Sequence, residues 1–212
     1  MWVFLWVILS SILIIASVWS LRILLSQKKA WAAYAKSKNF TYNAGTFMGP
    51  AEMSGVIGDY KLSFFTAERE GGDVRTRRLM TALEINLTEP VADGCVMGTQ
   101  EMLPFMQSLE YLKPMQLEHP GWEKNFFAFV RYEPVVRAYL TPERLDAYTA
   151  ILGTKNADVL IIFNDTQLVL RLETSDPMQN ADKIDKIVKR LLALCDKVRV
   201  TPEQYAQYSA KK

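Results

Sequence analysis

Few residues in this chain of 212 could carry out chemistry, and their spacing is unhelpful to it. His119 is the only histidine, so no two-histidine metal motif can form. Cys95 and Cys195 stand 100 residues apart and form neither a C-x-x-C redox pair nor half of a zinc site. No G-x-S-x-G elbow, G-x-x-x-x-G-K-[ST] phosphate loop or G-x-G-x-x-G fingerprint occurs, and no cofactor or metal is expected. His119 sits in His-Pro-Gly-Trp, which reads as an exposed turn without a nucleophile for company. An enzyme whose site is assembled from scattered Asp, Glu and Arg would be invisible at this level, and that reading stays open in third place.

Two sets of charged residues are better candidates for binding. The first is the segment 68–78 (EREGGDVRTRR), where Arg75, Arg77 and Arg78 follow a glycine pair. Planar guanidinium groups suit anionic headgroups or an acidic partner. A hairpin end that protects a sheet edge by its charge explains the same residues more simply. The second set is Arg22, Lys28, Lys29, Lys36 and Lys38, five cations with no acidic residue between positions 22 and 51. Trp31 and Tyr34 lie among them, so this stem could hold aromatic rings and cations at the level of lipid headgroups. Each cation close to an anionic surface contributes about 1 kcal/mol. A Met-rich stretch at 96–118 could adapt to an irregular partner, although core filling accounts for it more cheaply.

These residues depend on the elements around them. Residues 2–21 (WVFLWVILSSILIIASVWSL) contain twelve Val, Ile, Leu or Phe, four Ser and no ionisable side chain. Twenty helical residues reach about 30 Å, the hydrocarbon thickness of a bilayer. The serines are tolerated because a helical Ser can bond a carbonyl one turn earlier. Trp2, Trp6 and Trp19 flank the run, as interfacial tryptophans do. A buried core helix is disfavoured by the length of the uncharged run. A cleaved signal peptide is disfavoured by the missing basic n-region. The sequence therefore predicts a transmembrane helix over 1–25, a basic helical stem over 26–39, a soluble domain over 40–200 and a polar tail over 201–212.

Orientation follows from the cationic flank, which stays cytoplasmic and leaves the N-terminus outside. An inverted topology remains the alternative. From position 52 onward the chain holds 20 of the 25 basic residues against all 23 acidic ones. The body is thus mildly acidic, which argues against nucleic acid as a partner.

The predicted fold class is α+β, an N-terminal transmembrane helix followed by a mostly antiparallel sheet with helices packed on one side. Strands are expected at 40–43, 52–57, 60–68, 74–88, 126–132, 158–164 and 166–173, arriving mostly as hairpins. Residues 89–99 read as a loop. Helices are expected at 100–113, 134–140, 142–152 and 180–198. The last carries Ile184, Ile187, Val188, Leu191, Cys195 and Val198 on one stripe, and a short polar helix follows Thr201.

Taken together, the anchor, the basic stem and the order FFAFVRY, L-T-P-E, DVLIIFN, TQLVLRLE and long amphipathic helix resemble bacterial single-pass membrane proteins carrying an uncharacterised α+β domain. The resemblance implies a bacterial inner-membrane location and supplies no catalytic residues. The function expected is a membrane-tethered, non-enzymatic interaction domain serving as accessory subunit, scaffold or assembly factor. Its partners would be lipid through the N-terminal helix and a membrane protein or a second copy of itself. A lipid-headgroup or small-ligand binding domain is the alternative.

Overall fold

The computed structural model describes residues 2–70 and 77–209. One helix, α1 (Trp2–Lys38), runs without a break from the apolar run through the basic stem. Its outer part is long and apolar enough to cross a membrane, and none of that window is buried against the rest of the chain. Ser11 and Ser17 donate to the carbonyls of Val7 and Leu13, each at 2.8 Å, so their hydroxyls are satisfied within the helix. The inner part of α1 behaves differently. Ala30, Trp31, Tyr34 and Ala35 are buried, so the stem is an element of the domain core and the domain begins well before residue 40.

After α1 the chain enters a sheet built from β1 (Thr41–Asn43), β2 (Glu52–Ile57), β3 (Tyr60–Glu70), β4 (Arg77–Leu87), β5 (Cys95–Thr99), β6 (Lys113–Pro114), β7 (Phe126–Val130), β8 (Ala157–Phe163) and β9 (Leu168–Thr174). Among the described residues these nine strands form one open sheet in the order β1-β2-β3-β4-β9-β8-β5-β7-β6. Every pairing is antiparallel. The helices are α2 (Leu103–Gln107), α3 (Glu133–Tyr139), α4 (Pro142–Leu152), α5 (Ala181–Val198) and α6 (Pro202–Ser209).

Local signals set most boundaries. Thr141 caps α4, its hydroxyl accepting from the Arg144 N–H, and Gly153 ends the helix. The Asn180 side chain accepts from the N–H groups of Asp182 and Lys183 to start α5. The predicted α5 stripe is buried at Ile184, Val188, Leu191, Cys195 and Val198.

Alternation along the strands sorts the core into two clusters. The larger holds Leu62, Phe64, Leu83, Ile85, Met97, Ile161 and Leu170 together with buried residues of α1, α3, α4 and α5. The smaller holds Val96 and Leu160, which point to the opposite face, with Met102, Met106 and Leu112 over them. The helical layer is therefore not confined to one side as the sequence suggested, because α2 and the 3₁₀ turn before it (Gln100–Met102) cover part of the second face.

Two expectations fail here for identifiable reasons. The segment read as a loop contains β5, a central strand paired with both β7 and β8. All five of its residues are buried, so it shows no period-two alternation to read. Gly98 allows close packing there: a Cβ would stand 3.1 Å from the Val159 carbonyl oxygen and 2.8 Å from the Met106 sulfur, so its neighbours would have to shift. The helix expected over 100–113 ends at Gln107, because the chain must then extend to pair Lys113 and Pro114 with β7.

Candidate functional site

One end of the domain is tied to α1 through Lys28. Lys28 donates from Nζ to the carbonyls of Thr46 (2.6 Å) and Phe47 (3.2 Å), tying the β1–β2 connection to α1. Tyr42 donates to the Lys28 carbonyl at 3.1 Å. The Gln179 amide donates to the Ile23 carbonyl at 3.2 Å, so the segment entering α5 also touches α1, two residues past Leu21. The domain thus abuts α1 where its apolar run stops.

The antiparallel register carries the β3–β4 hairpin toward the same end. β2 starts just after the connection held by Lys28, so β3 must finish there. The β4–β9 pairing stops at Thr81 and Thr174, and β4 extends four residues beyond it, about 13 Å at the usual strand rise.

The basic residues of the stem divide by role. Arg22, Lys29 and Lys36 are exposed. Lys28 is spent on the connection just described. Lys38 pairs with Asp185 of α5 at 2.7 Å, and Lys189 pairs with the other oxygen of the same carboxylate at 2.7 Å. Those two lysines hold the Asp185 carboxyl below its usual range. Trp31 corrects the sequence expectation. Its ring is fully buried with its centroid 5.8 Å from that of Phe64, so it packs the core and cannot sit among headgroups. Tyr34 is buried alongside, 5.9 Å from Phe40 and 6.1 Å from Phe64. The period that put both residues beside the lysines also put them on the face that meets the sheet.

Of the hairpin arginines, Arg78 is exposed and stands opposite Arg69 in the ladder, and Arg77 opens β4 opposite Glu70. Arg75 lies outside the described residues. Arg78 borders an open depression of about 1030 Å³ that Gln100, Asn125, Lys155, Asp158 and Lys183 also line. Its charges are mixed and several are committed: Lys183 bonds Asp176, and Asp158 accepts from Arg69 at 2.5 Å.

Sequence reasoning missed a charged ladder on the second face of the sheet. Arg69 bridges Asp158 and Glu173 (2.6 Å), Arg171 reaches the other Glu173 oxygen at 2.7 Å, and the Arg171 guanidinium lies over the Phe65 ring at 5.3 Å. Burial opposes the charge on Arg69, but the two carboxylates outweigh it and raise its pKa. Its only sequence trace is the period-two placement of Arg171 and Glu173 on one strand face.

Nucleophilic chemistry finds little purchase on these groups. Cys95 and Cys195 are unpaired and buried. Burial pushes the Cys95 thiol well up and the Cys195 thiol to about 12, so both stay protonated at neutral pH. His119 is held from both sides, Nδ1 accepting from the Gly121 N–H at 3.2 Å and Nε2 facing Asp146 of α4 at 3.2 Å. It staples its turn to α4. Met97, Met102, Met106 and Met115 are all buried, which is the core-filling role.

No family model, curated protein or solved structure matches the chain.

Proposed function

We propose that this protein is a membrane-tethered, non-enzymatic interaction domain, working as accessory subunit, scaffold or assembly factor of a membrane protein complex. Residues 2–21 are the single-pass anchor, and the globular part lies on the cytoplasmic side of a bacterial inner membrane, the cationic residues from Arg22 onward resisting transfer. The reading is carried by one observation: the exposed apolar run and the core residues Trp31 and Tyr34 belong to a single unbroken helix. Such a helix is a strut, not a flexible leash. It fixes the height and orientation of the domain at the bilayer, and confinement to two dimensions raises its effective concentration near partners without a tight interface. Two buried free thiols are compatible with a reducing compartment.

Extraction of the full chain in mild detergent, followed by mass measurement, tests the interaction reading. A co-purifying membrane protein or a homo-oligomer is expected, and a clean monomer without a companion would count against it.

The overhang of the β3–β4 hairpin toward the anchor end favours a second reading, recognition of anionic headgroups by Arg75, Arg77 and Arg78. Vesicle flotation with and without anionic lipid, repeated with the three arginines replaced by Ala, separates the two. Unchanged binding after replacement removes the arginines from any lipid role.

A further inference from the structure

The connection between β1 and β2 ends in a tight turn over residues 46–49, closed by the Gly49 N–H donating to the Thr46 carbonyl at 3.2 Å. Its two central residues are Phe47 and Met48, exposed at 67% and 73%. Central turn positions ordinarily carry Pro, Asn, Asp, Gly or Ser, which meet water without cost. Two large apolar side chains there are held out by construction. Asn43 accepts from the Gly45 N–H at 3.0 Å to start the bend. Gly45 has a left-handed φ of +62°, and a Cβ on it would stand 2.2 Å from the Pro50 carbonyl oxygen. Lys28 then clamps the turn to α1 through the Thr46 and Phe47 carbonyls.

The clamp also gives the height of the turn. Lys28 lies seven residues beyond Leu21, about 10 Å along the helix axis. Side chains on a helix lean toward its N-terminus, so the Lys28 ammonium sits nearer the apolar run than its own Cα does. The headgroup region occupies roughly 5–8 Å on each side of the hydrocarbon. Leu25, between the run and Lys28, is exposed as well. The apolar tip is therefore carried at the depth where the bilayer interface begins.

We infer that Phe47 and Met48 form a second membrane contact, inserting into the lipid headgroup layer beside the anchor. This rests on the anchor reading. With the helix as one point and the turn as another, the domain is fixed in rotation about the anchor axis, so the same flank always faces a neighbouring membrane protein.

The buried native thiols permit single-site labelling. The full chain carrying Met48→Cys, and separately Phe47→Cys, is labelled with a polarity-sensitive fluorophore and reconstituted into phosphatidylethanolamine–phosphatidylglycerol vesicles. Val56→Cys, exposed at the far end of β2, reports water, and Ser10→Cys reports the bilayer interior. A blue shift at positions 47 and 48, with quenching by nitroxides placed high in the lipid, is expected, while position 56 shows neither. If Ser10 is quenched by deep nitroxides but positions 47 and 48 behave like 56, the second contact is overturned and the anchor stands. If positions 47 and 48 shift without nitroxide quenching, something other than lipid covers them and the inference is again overturned. If Ser10 also reports water, the anchor reading itself fails.

Discussion

Trp31 stands three residues from Tyr34 among four lysines, and those facts suit a headgroup-level ring as well as a core ring. The contact with Phe64 decides between them. Trp31→Ala is therefore expected to destabilise the domain by about 3–5 kcal/mol, whereas Lys29→Ala, on the exposed face, stays within about 0.5 kcal/mol. Denaturant unfolding of the full chain in detergent, followed by circular dichroism, measures both. Buried tyrosines give a second contrast. The Tyr139 hydroxyl donates to the Val198 carbonyl at 2.7 Å and lies 2.5 Å from the Tyr148 hydroxyl, which must then donate to it. The Tyr34 hydroxyl finds no hydrogen-bond partner among the described residues. Tyr139→Phe should cost about 1–3 kcal/mol by orphaning buried groups, and Tyr34→Phe should be neutral or slightly stabilising. Equal losses in the two variants would contradict the hydrogen-bond assignment.

Among the elements, the strands that read clearly have one wet face. β3 and β9 alternate because one of their faces carries Arg69, Arg171 and Glu173, and β4 because the same face carries the half-buried Glu84 and Asn86 between buried Leu83, Ile85 and Leu87. β5 has no wet face, and the chemistry of Cys-Val-Met-Gly-Thr does not distinguish a central strand from a loop. Replacing Gly98 by Val would drive two methyl groups into Val159 and the 3₁₀ turn, costing about 1–3 kcal/mol and loosening α2. Thermal unfolding and proteolysis near Gln107 would register it. Helix α5 contributes an acid-sensitive joint. Asp185, held by Lys189 and Lys38, has a carboxyl pKa below that of the unfolded chain. Its stabilising contribution is therefore complete above the unfolded value of about 3.9 and is lost as pH falls below it toward the depressed folded value. Asp185→Asn should lower the melting temperature near neutral pH and narrow the difference from wild type near pH 3. A deficit that stays constant across that range would remove Asp185 from the acid response.

At the scale of the whole molecule, α1 has an exposed apolar part and a part buried in the core, and truncations can separate them. Removing residues 1–21 takes away nothing that the domain buries, so a chain starting at Arg22 should fold and stay in solution. Removing residues 1–39 also deletes Ala30, Trp31, Tyr34 and Ala35 from the core and should leave an aggregating or molten chain. Circular dichroism and size-exclusion chromatography of the two truncations test this, and a well-folded chain starting at Phe40 would show that the stem is dispensable. Carbonate washing of membranes bearing the full chain tests the anchor, which should remain in the pellet.

The apolar run, the caps of α4 and α5, the β8–β9 hairpin and the α5 stripe were all determined by the sequence itself. Each depends on neighbours within a few positions, where spacing, charge and capping side chains act directly. The burial of Trp31, the two-sided enclosure of β5, the Arg69–Asp158–Glu173 ladder and the clamp of Lys28 on residues 46 and 47 were decided only by the tertiary structure. Those features join residues from 18 to more than 100 positions apart, and which face of a helix or strand meets which neighbour is set by packing across the sheet, not by local pattern.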